Sequence, residues 1–242
     1  MTLKDAKIVV VGGNSGIGLG AAQAMLREGA IVTIVGKSQE KLDHAVSQIG
    51  FGARVKTFAA DVTQEDQVTE MFKATGEFDH LIITRGVAPL NAPITDFELD
   101  AVREFIDLMV VSGVSLVKHA ARKISLHGSI TFTSGISKDK PGPSGGSVVA
   151  AVAGSMTYLA RALALELAPV RVNVVSPGWV ETPMWDDIVG PAKVQMWEDM
   201  RQRLPAGRVA KPEDVAHAYL FLLRSELTTG ITLEIDGGHR LI

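Results

Sequence analysis

Short β-branched runs alternate with amphipathic stretches along the whole chain, and no other feature constrains its fold as tightly. KIVVVGG (7–13) reads as a buried strand running into glycines, and GLGAAQAMLREG (18–29) as a helix with a glycine stop. AIVTIVG (30–36), ARVKTFAAD (53–61), FDHLIIT (78–84), GSITFTS (128–134), VRVNVVS (170–176) and ITLEID (231–236) continue the strands. Helical patterns lie between them at 39–50, 64–76, from Phe97 to about Lys123, from Ser147 to about Leu167, and at 211–223. Strands separated by helices of this length imply βαβ units, and so a mostly parallel sheet covered on both faces. No linker, repeat or shift of composition marks a second domain, so 1–242 is read as one α/β domain. The least regular part, about 178–210, reads as a lid over a site.

Composition narrows the function. The chain has 242 residues, 46% hydrophobic, enough for a substantial core. A net charge of -3 without a basic stripe argues against a nucleic-acid partner. The absence of cysteine excludes disulfides, thiolate nucleophiles and cysteine-based metal sites. The six histidines show no metal-ligand spacing, so no metal is expected. His119, on the long helix, reads as structural. MTLKDAKIVVV lacks the long apolar segment and cleavage site of a signal peptide. No uncharged apolar run reaches the roughly 18 residues of a membrane helix. The expectation is a cytoplasmic protein without a membrane partner.

GGNSGIG (12–18) stands where the first strand becomes the first helix. Glycines there permit a tight turn and let backbone N–H groups and the helix N-terminus meet a diphosphate. A plain tight turn would use the same residues. The place of the turn, in the first βαβ unit, favours nucleotide binding.

The spacing of Gly12, Gly16 and Gly18 resembles that of the short-chain dehydrogenase/reductase family. Asp61-Val62 is similar to its adenine-contacting pair, and Gly86 matches the last residue of its Asn-Asn-Ala-Gly motif. RALALELAPVRVNVVSPGWVETPM (161–184) and TGITLEIDGG (229–238) are similar to its later motifs. The resemblance implies one Rossmann-like, doubly wound domain, with a seven-stranded parallel sheet in the order 3-2-1-4-5-6-7. It also implies a nicotinamide cofactor, a small-molecule substrate and a homodimer or homotetramer. In the cofactor site it places Asn14, Ser15, Ile17, Pro177, Gly178 and Thr182 beside the glycines.

An acid at the end of the second strand commonly holds the ribose of NAD, and a cation there suits NADP. Gly36 stands in that place, followed by Lys37 and Ser38. Lys37 either faces a 2′-phosphate or is a solvated surface charge; beside a missing acid, NADP(H) is preferred over NAD(H).

The family carries catalytic Asn, Ser, Tyr and Lys. Counted by local spacing, these fall at Val110, Gly135, Val149 and Ala153, none of which moves a proton through its side chain. Of the two tyrosines, Tyr158 lies nine residues after Val149. At about 100° per residue that is the opposite helix face. Tyr219 belongs to a late helix that the family places away from the nicotinamide. The remaining candidates are Ser134, as a donor to substrate or a hydroxyl satisfied by backbone, and Arg85. Arg85 reads as a fixed charge at the cofactor, an anion site, an ion pair with a carboxylate, or a solvent-facing rim position. Lys138, Asp139 and Lys140 read mostly as a solvated loop. Trp179, Met184 and Trp185 line an apolar pocket or pack the lid.

Two readings stay open. One is an NADP(H)-dependent oxidoreductase of non-standard mechanism, reducing a carbonyl, imine or iminium of a small apolar substrate. The other is an inactive nucleotide-binding or partner-binding protein on the same fold.

Overall fold

A computed structural model describes residues 2–85, 89–143 and 145–242. The alternation folds as β1 (Lys7–Val11), α1 (Gly16–Arg27), β2 (Ile31–Gly36), α2 (Gln39–Ile49), β3 (Val55–Ala59), α3 (Glu65–Thr75) and β4 (Phe78–Ile83). Then come α4 (Leu99–Ile106), α5 (Ser112–Ala120), β5 (Ile124–Thr133), α6 (Ser147–Glu166) and β6 (Arg171–Pro177). The chain closes through α7 (Met184–Val189), α8 (Lys193–Arg203), α9 (Pro212–Arg224) and β7 (Thr232–Ile235).

The seven strands form one sheet in the order β3-β2-β1-β4-β5-β6-β7, as the resemblance implies. Every pairing is parallel, with Val11 between Val35 and Ile83 at the ends of three strands. A sheet covered on both faces needs apolar residues on both sides of each strand, and β6 is buried from Arg171 to Pro177. One core layer packs α3, α5 and α6 against the sheet. The other packs α1, α2 and α9. The order reverses at β1, where β2 lies on one side and β4 on the other. Ligands of open α/β sheets bind at the strand C-termini beside such a reversal.

Three elements depart from the sequence reading. The helix expected from Phe97 to about Lys123 is α4 and α5, joined by a π-helical segment, Asp107–Val111. β5 begins at Ile124 rather than Gly128, because its pairing with β4 is irregular between Phe78 and His80 and admits extra residues. Segment 178–210, expected to be irregular, contains α7 and α8. Its ends are tied by a bridge between Val180 and Ala210. Trp179, Trp185 and Trp197 pack inside it, with ring centroids 4.9 to 6.1 Å apart.

Candidate active site

The glycine turn is built by close approach. A Cβ on Gly18 would lie 2.1 Å from the carbonyl oxygen of Gly12, so only glycine lets α1 begin so near β1. Thr84 Oγ1 donates to the Val11 carbonyl at 2.8 Å and holds the end of β4 against the turn. Helix α1 starts with no acid in its first turn and no side-chain cap at Ser15. The N–H groups and dipole of such a helix start fit the diphosphate of a dinucleotide.

At the end of β2, a Cβ on Gly36 would stand 2.8 Å from Asn14 Oδ1. The Asn14 amide fills the space an acid would take. Lys37, its side chain 81% exposed, pairs with Asp61 at 2.7 Å. Lys37 first, then the Thr63 hydroxyl at 2.7 Å, hold the Asp61 carboxyl down to about 2. Val62 is buried beneath. Ser38 caps α2 by accepting from the Lys41 N–H at 3.3 Å.

Along the same strand ends lies a cavity of about 500 Å³. Val149 and Ala153 face it from α6, one helical turn apart, with Ser134 and Gly135 from the end of β5. Pro177, Gly178 and Thr182 contribute from the turn after β6, and Ile17 from the glycine turn. Val110 is not part of this wall. It packs against the core, and Met109 reaches the cavity instead. Trp179, Met184 and Trp185 line the cavity. Gly86 lies outside the described residues.

Neither tyrosine lines it. Tyr158 is 70% exposed, beneath the Arg161 guanidinium. Tyr219 is fully buried in the other core layer, its hydroxyl 2.6 Å from that of Thr133, and burial pushes its pKa up.

The two polar candidates are committed to the protein itself. Ser134 Oγ donates to the Ala153 carbonyl at 2.7 Å. Arg85 meets no carboxylate among the described residues and is not a rim residue. Its guanidinium donates to the carbonyls of Leu108 and Met109 inside the π-helical segment and to Ser112 Oγ at the start of α5. A side chain inserted into a helix ladder is a recognised cause of such a break, which accounts for the divided helix. Burial lowers the Arg85 pKa to about 10, and its Nε has no partner among the described residues.

The loop after β5 is not simply solvated. Lys138 has a side chain only 10% exposed and bonds Asp139 and Glu234. Lys140 lies on the cavity wall. His119 bonds Glu65 at 2.9 Å on the surface of α5. No cluster of metal-ligating side chains occurs among the described residues. The sequence carries no sign of Arg203 or His239, which also reach the wall. They come from the end of α8 and from the C-terminal turn, and only the fold joins them.

A parallel sheet with this glycine turn at its reversal, opening on an apolar cavity, defines a Rossmann-like α/β protein. The chain belongs to the short-chain dehydrogenase/reductase family. Residues 11–240 match the family model described as Enoyl-(Acyl carrier protein) reductase. The short-chain dehydrogenase/reductase ATR9 of Stachybotrys chlorohalonatus is 32% identical, over 98% of both chains. The MalC Reductase/Diels-Alderase of Malbranchea aurantiaca superposes with a TM-score of 0.93 at 28% identity, over 100% of this chain and 98% of that one. An NADPH-bound short chain oxidoreductase of Pseudomonas aeruginosa PAO1, described as containing an atypical catalytic center, has a TM-score of 0.90 at 28% identity. The match covers 98% of this chain and 97% of that one.

Proposed function

We propose that the protein is an NADP(H)-dependent oxidoreductase of non-standard mechanism. Its substrate is a small apolar molecule whose acceptor needs no proton from the protein: an imine, an iminium, or a carbonyl with its own internal donor. One observation carries this reading. A glycine turn that fits a diphosphate opens on a wall presenting Gly135, Val149 and Ala153, at the positions where the family carries serine, tyrosine and lysine.

When bound, the cofactor supplies hydride. The chain's own residues hold and shield. Lys37 and Ser38 receive a 2′-phosphate, and the Asn14 amide fills the place of an NAD-selective acid. Thr182, with Pro177 and Gly178, positions the nicotinamide end. Val149, Val152 and Met156 keep water from the reacting face. Segment 178–210 serves as the lid. A missing general acid costs roughly 10² to 10⁴ in rate. Holding the reactants together still contributes about 7–11 kcal/mol. Plain ketones are therefore slow, and pre-activated acceptors escape the penalty.

The atypical centre named for the Pseudomonas protein supports this mechanism. The double activity named for MalC supports a second reading, a cycloaddition in a cavity that the cofactor only shapes. The oligomer belongs to the proposal too. Helix α6 is long and apolar enough to cross a membrane, and only 22% of its most apolar window is buried within the chain. Leu165 and Tyr158 on it are 84% and 70% exposed. Val152, Met156, Ala160 and Ala164 form the stripe of α6 that is buried, and the exposed apolar face is read as a subunit contact.

The test is a fluorescence titration with NADPH and NADH, followed by turnover of matched cyclic imines, enones and ketones. Tighter NADPH binding with imines faster than ketones is expected. Ketones outpacing imines would sink the mechanism. Binding without turnover would leave a nucleotide-binding protein.

A further inference from the structure

The cavity wall is electrically one-sided. The whole chain has 27 acidic residues against 24 Lys and Arg. The described wall nevertheless contains Arg85, Lys140 and Arg203, and no Asp or Glu. Arg85 is engaged by the carbonyls of the π-helical segment. Lys140 and Arg203 are placed differently. Among the described residues, Lys140 Nζ has one polar contact, the His239 carbonyl at 3.3 Å. Neither cation pairs with a carboxylate among the described residues.

Their neighbours are neutralised. Lys138 is paired with Asp139 and Glu234, Arg240 with Glu234, and Arg201 with Glu181 and Glu198. Asp236, close to His239, spends its two oxygens on the N–H groups of Gly238 and Arg240, each at 3.0 Å. His239 itself is 8% exposed. Burial, with Lys140 and Arg203 beside it, holds its pKa below the ordinary value, so its ring adds no third charge. The Trp179 ring lies 6.2 Å from that of His239 and begins the apolar tryptophan cluster. Two cations without a carboxylate partner among the described residues, at an apolar cleft, focus a field that attracts anions, and a guanidinium binds a carboxylate through paired donors.

We infer that Lys140 and Arg203 form a subsite for the carboxylate of an otherwise apolar substrate. The inference rests on the cavity being the substrate site, but its test needs no turnover. All three tryptophans of the chain lie in the adjoining cluster, so intrinsic fluorescence reads this place directly. The probes are 4-cyclohexylbutanoate and the matched 4-cyclohexylbutanamide, titrated with NADP⁺ present. The acid should bind at least about tenfold tighter than the amide. Lys140→Gln with Arg203→Gln should bring the ratio to about one and leave NADP⁺ affinity unchanged. Arg203→Gln alone, at an exposed position, should lower the ratio and serves if the double variant does not fold. Arg201→Gln removes the same charge from α8 outside the wall and should keep the wild-type ratio. Equal affinity for acid and amide, saturation by neither, or a ratio that survives the double variant would overturn the subsite. Intact discrimination without hydride transfer would overturn the reductase reading and leave the subsite standing.

Discussion

The Ser134 hydroxyl donates to the Ala153 carbonyl across 2.7 Å and ties the end of β5 to α6. New side chains on α6 leave this main-chain contact in place. Val149→Tyr with Ala153→Lys therefore puts an acid and a supporting cation on the wall without loosening the strand. NADPH-dependent reduction of a plain ketone should rise by on the order of 10², followed by cofactor absorbance. No rise would mean that the vacant positions lie elsewhere.

Asn14 Oδ1 occupies the space above Gly36. Gly36→Asp displaces that amide and sets a carboxylate beside Lys37, against a 2′-phosphate. NADPH binding should weaken about tenfold or more, with NADH binding unchanged or improved. Fluorescence titration with both cofactors checks this. An unchanged preference would remove Lys37 and Ser38 as the phosphate site.

Tyr219 and Thr133 share a hydrogen bond between the sheet and α9. Tyr219→Phe leaves the Thr133 hydroxyl without this partner, which should cost about 1–3 kcal/mol in urea unfolding. Turnover per folded molecule should not change, because Tyr219 is absent from the cavity wall. Lost activity at unchanged stability would instead make Tyr219 a proton donor.

Asp214 accepts from both terminal nitrogens of Arg208, at 2.6 and 2.7 Å, and from the Lys211 N–H at 2.8 Å, closing the start of α9. Arg208 above all lowers its pKa from 3.8 to about 2. A depressed acid stabilises the fold above its unfolded pKa, and that contribution is lost as pH falls through the folded pKa. Asp214→Asn should lower Tm at neutral pH. The gap to the parent protein should close between pH 3.8 and about 2. A gap of constant size across that window would show that the ion pair does not govern this end of α9.

The βαβ alternation was legible because it rests on local repetition, whereas the strand order came from the resemblance of the motifs to the family's. Positions 149 and 153 were placed by the same resemblance, counted back from Arg161 along an unbroken helix. The break between α4 and α5 was hidden. Residues 107–111 look helical by themselves, and only the distant Arg85 draws out their carbonyls. The roles of Ser134 and Lys138 were hidden for the same reason. Their partners, the Ala153 carbonyl and Glu234, lie across the fold.

By itself, then, the sequence determined the sheet, the glycine turn and the apolar character of the wall at 149 and 153. Periodicity and residue type are local, and the backbone responds to them locally. The tertiary structure alone decided where charge resides in the cavity. It sealed Arg85 into a helix, paired Lys138 and Arg201, and brought Lys140 and Arg203 to one wall without an acid. Whether a charge is neutralised depends on which carboxylates folding brings within a few ångströms, and no spacing along the chain encodes that.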